Sequence, residues 1–276
     1  MRTGVVHLDT LRAAGMSRRE LNRLVRNGNL VRVRTGWYAG SAADAEVLRA
    51  VSLGGRVTCV NALRLHGVWV LPDTRLHVAF ARSQSRLPTA PTDVRRHFGP
   101  ADRQSTADPV VPVHEALRHY ERCTDEEGLV MALDSALQQR LLLFADLRDV
   151  FGGRHPHIGD LVDPRAESGT ETRLRLWLRH RGHDVQVQHH VGGVGRTDLF
   201  VNGWLVVELD SRAWHTGTEA YERDRARDLA ALGLAYPTLR LSYRQVFDDW
   251  PETQRQLADV LLGGRRSRLI RLPGTR

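Results

Sequence analysis

Two apolar runs, RTDLFV at 196–201 and WLVVELDS at 204–211, limit what this chain can fold into more than any other stretch. Both are rich in the branched and aromatic residues that suit a pleated, half-buried surface, and the Asn202-Gly203 pair between them is turn chemistry. They read as a buried hairpin. Yet the hairpin carries Asp198, Glu208 and Asp210 where burial favours apolar side chains. An unpaired buried carboxylate costs a large part of a domain's stability, so these acids need a reason, and a bound divalent cation is one.

Strand parity makes that reason testable. A two-residue Asn202-Gly203 turn sets Asp198 against Val207 and sends Glu208 and Asp210 to the opposite face. A three-residue loop or a bulge shifts the register by one and brings Asp198, Glu208 and Asp210 to one face, as a metal site requires.

Around the hairpin the periodicity predicts a helix at 170–181, strands near 185–190, 197–201 and 204–209, a helix at 219–232, a strand at 238–242 and a helix at 251–262. The order is αβββαβα. Glu171 opens the first helix, where with Ser168 it also completes an S-x-x-E capping box, so helix capping explains it as well as catalysis does. Asp210 followed by Ser211 also reads as a strand end, and Glu222, Arg223, Asp224, Arg227 and Asp228 read as a salt-bridge-laced helix face.

The run from Glu171 through RTDLF, VVELDSRAWH and YERDRARD is similar to the very-short-patch-repair-like (Vsr-like) domains of the PD-(D/E)XK nuclease superfamily. That resemblance covers about residues 160–262 and implies a restriction-endonuclease-like domain. It makes Asp198 and Glu208 the ligands of Mg²⁺ or Mn²⁺, Glu171 a helix-borne acid near the metal and Asp210 a further ligand or proton acceptor. His215 becomes a proton donor or phosphate contact, and Arg196 a holder of a flanking phosphate. The sequence departs from the superfamily at one place: the E-x-K pattern puts lysine at position 210, and Asp210 stands there. The charge-stabilising task of that lysine has no evident owner in the sequence.

At the other end, Leu8 and Leu11 have helical spacing and Gly15 breaks the pattern. Ser17 and Glu20 then form a capping box, Leu21, Leu24 and Val25 make one apolar stripe, and Gly28 stands at the C-terminal glycine position. The opposite face carries Arg18, Arg19, Asn22, Arg23 and Arg26, a cationic surface with one amide suited to a base edge. Strands at 30–33 and 37–38, joined through Thr35-Gly36, follow, with Arg32 and Arg34 expected to project from one side as a wing. Residues 1–40 thus read as a winged helix-turn-helix, and they resemble the N-terminal winged-helix domain of abortive-infection-type (AbiEi-like) antitoxins of toxin–antitoxin systems. The resemblance implies DNA docking.

Between these ends, residues 41–158 form a mostly helical segment, with helices at 44–53, 57–66, 113–122 and 125–140 and strand-like pieces at 76–80 and 93–98. Thr124 with Glu127 offers a capping box, 82–92 reads as a loop, and 152–160 reads as a linker whose His155 and His157 are solvated. This region is assigned to scaffolding or partner contact. Cys59 and Cys123 lie far apart without metal-type spacing, so the sequence indicates buried thiols and neither a disulfide framework nor a zinc site.

The net charge of +8 is concentrated at the ends. Residues 1–40 hold eight arginines against Asp9 and Glu20, and the tail 263–276 holds five arginines and no acid. A basic head and tail around a slightly acidic body fits ends that touch phosphate. No apolar run reaches bilayer-spanning length and the N-terminus lacks a signal-peptide core, which together indicate a cytoplasmic chain with no membrane partner.

The sequence therefore predicts a mixed α/β protein whose partner is DNA. It is a metal-dependent endonuclease or, alternatively, a DNA-binding regulator of antitoxin type whose nuclease-like domain no longer catalyses. RNA as substrate, a toxin or other protein partner, and a homodimer stay open.

Overall fold

The computed structural model describes residues 3–84, 89, 91–99, 107–210, 233–234 and 236–269. His215, the 219–232 helix and the Glu222, Arg223, Asp224, Arg227 and Asp228 group lie outside the described residues, as does the side chain of Asp210. The protein is mixed α/β and divides into two compact units, Met1–Pro164 and Arg165–Arg276. Among the described residues, no helix is long and apolar enough to cross a membrane.

The first unit begins with β1 (Val5–His7), α1 (Leu8–Ala13), α2 (Arg18–Arg26), β2 (Val31–Arg34) and β3 (Trp37–Ala39). β1 was not expected; it pairs antiparallel with β3, giving a sheet in the order β1-β3-β2. Ser17 caps α2 as its sequence requires: its hydroxyl accepts the Glu20 N–H at 3.2 Å, while Glu20 accepts the Ser17 N–H at 2.9 Å. Leu21 is buried with Val6 and Leu11, and Val25, Leu30 and Tyr38 pack against them. One expectation fails here. A register shift between Arg32 and Arg34 sets Arg32 opposite Tyr38 and Arg34 opposite Trp37, so the alternation that would carry both arginines on one side is broken. Arg32 is exposed and Arg34 half-buried.

The unit continues with α3 (Ala45–Ser52), β4 (Arg56–Val57), α4 (Cys59–Leu65), β5 (Leu76–Ala81), β6 (Val94–Gly99), α5 (Val113–Tyr120), α6 (Glu126–Gln138), α7 (Leu147–Phe151) and α8 (Ile158–Leu161). β4 runs antiparallel to β5, and β5 parallel to β6. α6 is capped one residue later than its sequence indicates: Asp125, not Thr124, accepts the Gly128 N–H, at 2.8 Å. The 152–160 stretch is less of a linker than its glycines imply. α8 begins inside it, His155 pairs with Glu121 at 2.9 Å, and His157 pairs with Glu126 at 2.5 Å.

The second unit contains α9 (Gly169–His180), β7 (Val185–Val191), β8 (Gly195–Val201), β9 (Leu205–Asp210), β10 (Thr238–Ser242), α10 (Tyr243–Phe247) and α11 (Trp250–Leu269). The sheet order is β10-β9-β8-β7, antiparallel except for the β9–β10 pair. Alternation splits its side chains between two cores. Leu199, Val201, Leu205 and Val207 pack with Leu174, Trp177 and Leu178 of α9, while Phe200 and Val206 pack with Val191 and Val194 on the other face. α11 does not stop at residue 262: the helix runs on through Gly263 and Gly264 to Leu269, into the stretch expected as a basic tail.

Candidate functional site

Hairpin register is the first test of the carboxylates. Val201 pairs with Leu205, Phe200 with Val206 and Leu199 with Val207, so β8 and β9 are joined by the three residues 202–204. Asn202 and Gly203 both take left-handed backbone, with φ of 53° and 68°, and the Trp204 N–H closes the loop on the Val201 carbonyl at 3.1 Å. Turn chemistry was legible in Asn202-Gly203, but the loop length was not. The longer loop supplies the parity a shared site requires: by alternation Asp198 falls on the face of Phe200 and Glu208 on that of Val206, which is the same face of the sheet.

The regular ladder stops just there. Beyond Leu199 and Val207 the Asp198 carboxylate itself takes a strand donor, accepting the Leu209 N–H at 2.7 Å. Asp198 therefore sits where β8 and β9 part. On its other side, its second oxygen accepts from Gln188 Nε2 at 3.2 Å, and the same amide donates to Glu171 at 2.9 Å. A single amide thus gathers two carboxylates from different elements, one on the first turn of α9 and one on β8.

Gln188 was not singled out from the sequence. Its backbone is left-handed, φ 48°, within a strand, a sparsely populated conformation for a residue with a side chain. The Val187↔Leu199 and His189↔Thr197 pairs keep one register on either side, so the distortion adds no residue and serves to aim this side chain. The amide oxygen that faces away from the acids is buried without a hydrogen-bond partner. No local spacing marks a glutamine for this role, because it depends on a backbone angle.

Glu171 has two jobs. Its backbone N–H donates to the hydroxyl of Ser168, the N-cap of α9, at 3.2 Å, and its carboxylate accepts from that hydroxyl at 2.8 Å and from the Glu167 N–H at 3.0 Å. The expected capping box is thus made on one side, and the carboxylate reaches one residue further back. It is also only 4% exposed. Burial pushes its carboxyl up to about 7 and the charge of Asp198 works in the same direction, against the hydrogen bonds from Gln188, Glu167 and Ser168. Such a group exchanges a proton near neutrality.

Glu208 is half-buried, and the parallel register of β9 with β10 sets Arg240 beside it. Arg196 is differently placed from expectation: it forms a two-pronged ion pair with Glu167, at 2.8 and 3.1 Å. A phosphate at Arg196 must displace that partner.

The donor set suits a hard cation. Asp198, Glu208 and Glu171 offer carboxylate oxygens, and turning the Gln188 amide over directs its unsatisfied oxygen toward the two acids its nitrogen now bridges. The amide hydrogens stand in this structure where a positive charge is wanted, and the oxygen is available to a cation that replaces them.

In the first unit, Arg18, Arg19, Asn22, Arg23 and Arg26 are all exposed, and Arg18, Arg19, Asn22 and Arg26 line a shallow depression together with Val25. Among the described residues, no side-chain hydrogen bond or ion pair engages Arg18, Arg19, Asn22 or Arg26, whose backbones belong to the helix. Cys59 and Cys123, unrelated by spacing, are brought together with His77 and His97. The sequence reading missed that convergence.

No family model matches this chain. It is 27% identical over 239 residues to the uncharacterized proteins MT2308 and Rv2248 of two Mycobacterium tuberculosis strains, an alignment that covers 77% of this chain and 85% of theirs. A crystal structure of the RV2827C protein from Mycobacterium tuberculosis matches at 19% identity with a TM-score of 0.30, over 63% of this chain and 72% of that one. Overlap that slight carries no argument about fold or function.

Proposed function

We propose that the chain is a modular, divalent-metal-dependent DNA endonuclease: residues 1–40 form a winged helix-turn-helix that docks DNA, and about 160–262 form a Vsr-like domain of the PD-(D/E)XK type that hydrolyses a phosphodiester. The observation that carries the reading is the meeting of Glu171 and Asp198 on the Gln188 amide at the fork of β8 and β9, with Glu208 on the same face of the sheet as Asp198. Asp198 and Glu208 would hold Mg²⁺ or Mn²⁺, with Glu171 beside Asp198 and the Gln188 amide able to turn its oxygen toward them. Such an ion, when bound, lowers the pKa of a water and offsets charge developing on the phosphate.

The chain's own residues do the rest. Glu171, with its carboxyl near neutral pH, holds or releases a proton at its carboxylate oxygens. Gln188 sets the separation of the two acids, and the Leu209 N–H fixes the rotamer of Asp198. Arg240, beside Glu208 on β10, is the cation best placed by register to take on the charge-stabilising task of the lysine that Asp210 replaces. Arg18, Arg19 and Arg26 contact phosphate, and Asn22 on the same face contacts a base edge.

A second reading rests on a specific observation: both Asp198 oxygens already have protein donors, Leu209 N–H and Gln188 Nε2. A carboxylate satisfied in this way also fits a DNA-binding regulator of antitoxin type whose nuclease-like domain has lost its metal.

Cleavage of supercoiled plasmid and single-stranded DNA by the full chain with Mg²⁺ or Mn²⁺, beside Asp198→Ala and Glu208→Ala, separates the two. Metal-dependent nicking lost in both variants supports the nuclease. Inert wild type and variants that shift a DNA probe equally in EDTA replace it with the regulator. In either case, replacing Arg18, Arg19 and Arg26 with alanine should flatten the salt dependence of binding, by a log–log slope of about 0.9 for each phosphate the protein no longer neutralises.

A further inference from the structure

We infer that Cys59, His77, His97 and Cys123 bind a zinc ion that ties the β5–β6 strand pair of the first unit to the starts and ends of the neighbouring helices. The ligand atoms of the four side chains all lie within 4.8 Å of one another. His97 Nε2 is 3.1 Å from His77 Nδ1, and Cys123 Sγ is 3.8 Å from His97 Nε2 and 3.9 Å from His77 Nδ1. Zinc at its usual distances, about 2.3 Å from sulfur and about 2.0–2.1 Å from nitrogen, makes tetrahedral edges of about 3.3 Å between nitrogens and about 3.6 Å between nitrogen and sulfur. These three separations match a coordination shell to within a few tenths of an ångström, and the widest spacing in the set, up to 4.8 Å, has about 1 Å to close around an ion.

Topology explains both the convergence and its invisibility in the sequence. His77 lies on β5 and His97 on β6; with His77 paired to Arg95 and Ala79 to His97, the two imidazoles project from one face of the parallel pair. Cys59 opens α4 directly after Thr58, whose N–H donates to the His77 carbonyl at 3.0 Å, and Cys123 follows α5. The ligands thus come from four separate places in the chain, unlike the short paired spacings of a zinc finger. Cys59 holds a left-handed backbone, φ 54°, uncommon outside glycine, and this sets the direction of its thiol.

The surroundings are those of a ligand set. Cys59 and His77 are fully buried and His97 nearly so, where a core ordinarily holds apolar side chains. Asp73 accepts from His77 Nε2 at 3.1 Å and is itself held by the Arg75 guanidinium, at 2.8 and 3.2 Å. A carboxylate has no proton to give, so Nε2 carries the hydrogen and Nδ1 turns a lone pair toward the cluster. This carboxylate–histidine pairing is the support that zinc-binding imidazoles receive. Two sulfurs and two nitrogens select zinc over the hard ions suited to the carboxylates of the second unit. Four protein ligands leave no position for substrate, so the ion is structural.

The test is metal analysis of the full chain, purified without a metal-affinity step under reducing conditions, with Co²⁺ substitution of the wild type. One zinc per chain is expected, and the cobalt form should show thiolate charge-transfer bands in the near ultraviolet with the strong visible bands of tetrahedral coordination. Cys123→Ser should lose the zinc, whereas Asp198→Ala should keep it. Since a cysteine variant that fails to fold also loses metal, the wild-type cobalt spectrum carries the decision. Absence of both zinc and those bands overturns the site. So does loss of zinc in Asp198→Ala, or an intact mass showing the two thiols joined as a disulfide in the purified chain.

Discussion

The two units each gather ionisable side chains against a sheet, and they do so in opposite ways. In the first, Cys59, His77, His97 and Cys123 bring soft donor atoms together directly, with Asp73 orienting one of them from behind. In the second, Glu171 and Asp198 are hard donors spaced by an amide, with Glu208 on the same strand face as Asp198. The difference follows from charge. Thiols and imidazoles can be neutral, so they pack to ligand distance at little electrostatic cost, whereas two carboxylates repel and need a donor between them until a cation arrives. A closed four-ligand set holds a fold together; carboxylates at a fork leave room for water and substrate.

The comparison breaks most visibly if the two centres fail to behave independently. Asp198→Ala or Glu208→Ala removes a ligand of the proposed catalytic ion. Several kcal/mol of barrier depend on that ion, so cleavage should fall by at least about a hundredfold while zinc content stays unchanged. Parallel loss of both would tie the two centres together and sink the division of labour.

The next effect is on stability against pH, read without added Mg²⁺ or Mn²⁺ so that no hard cation neutralises the site while zinc stays in place. The folded state keeps the Glu171 proton up to about 7, while the unfolded chain releases it near the ordinary value of 4.5. Between those values the folded state binds more protons, so wild-type stability should fall as pH rises and level off above about 7. Glu171→Gln has nothing to titrate. Relative to wild type it should gain about 3 kcal/mol between pH 4.5 and 8, read as the pH slope of denaturant midpoints. Parallel wild-type and variant curves would place the burial of Glu171 in doubt.

Much of this layout was legible in the sequence, and the failures share a cause. Helices with local signals appeared where expected: Ser17 and Glu20 start α2, and Ser168 starts α9. Asp198 and Glu208 were legible because a charge inside an apolar run stands out. What could not be read depends on geometry that no short window contains. The length of the 202–204 loop decides which face Glu208 shares, and the left-handed φ of Gln188 decides where its amide points. The β5–β6 register brings two histidines twenty positions apart to one face, so spacing rules built on local motifs pass over the Cys/His cluster. The pairing of Arg196 with Glu167 likewise joins a strand residue to the approach of α9, and the basic reading of Arg196 had no means of seeing it.

A smaller effect sharpens the soft-donor side. Asp73→Asn keeps the size of the side chain but lets an amide N–H face His77 Nε2, which weakens the tautomer that presents Nδ1 to the cluster. Zinc affinity, measured by competition with a chromophoric chelator, should drop about 10- to 100-fold without loss of stoichiometry at saturating metal. Unchanged affinity would leave Asp73 as a partner of Arg75 alone.

The smallest effect addresses the amide between the acids. Gln188→Leu preserves bulk and removes the donor shared by Glu171 and Asp198, so without added Mg²⁺ the variant should lose about 1–2 kcal/mol, the usual cost of leaving buried acceptors unmade. Saturating Mg²⁺ should return more of that loss to the variant than it adds to the wild type, since the cation then takes over the work of the amide. If Mg²⁺ stabilises neither protein, the amide is a permanent substitute for the ion, and the carboxylates of the second unit belong to a regulator whose only metal is the zinc of the first.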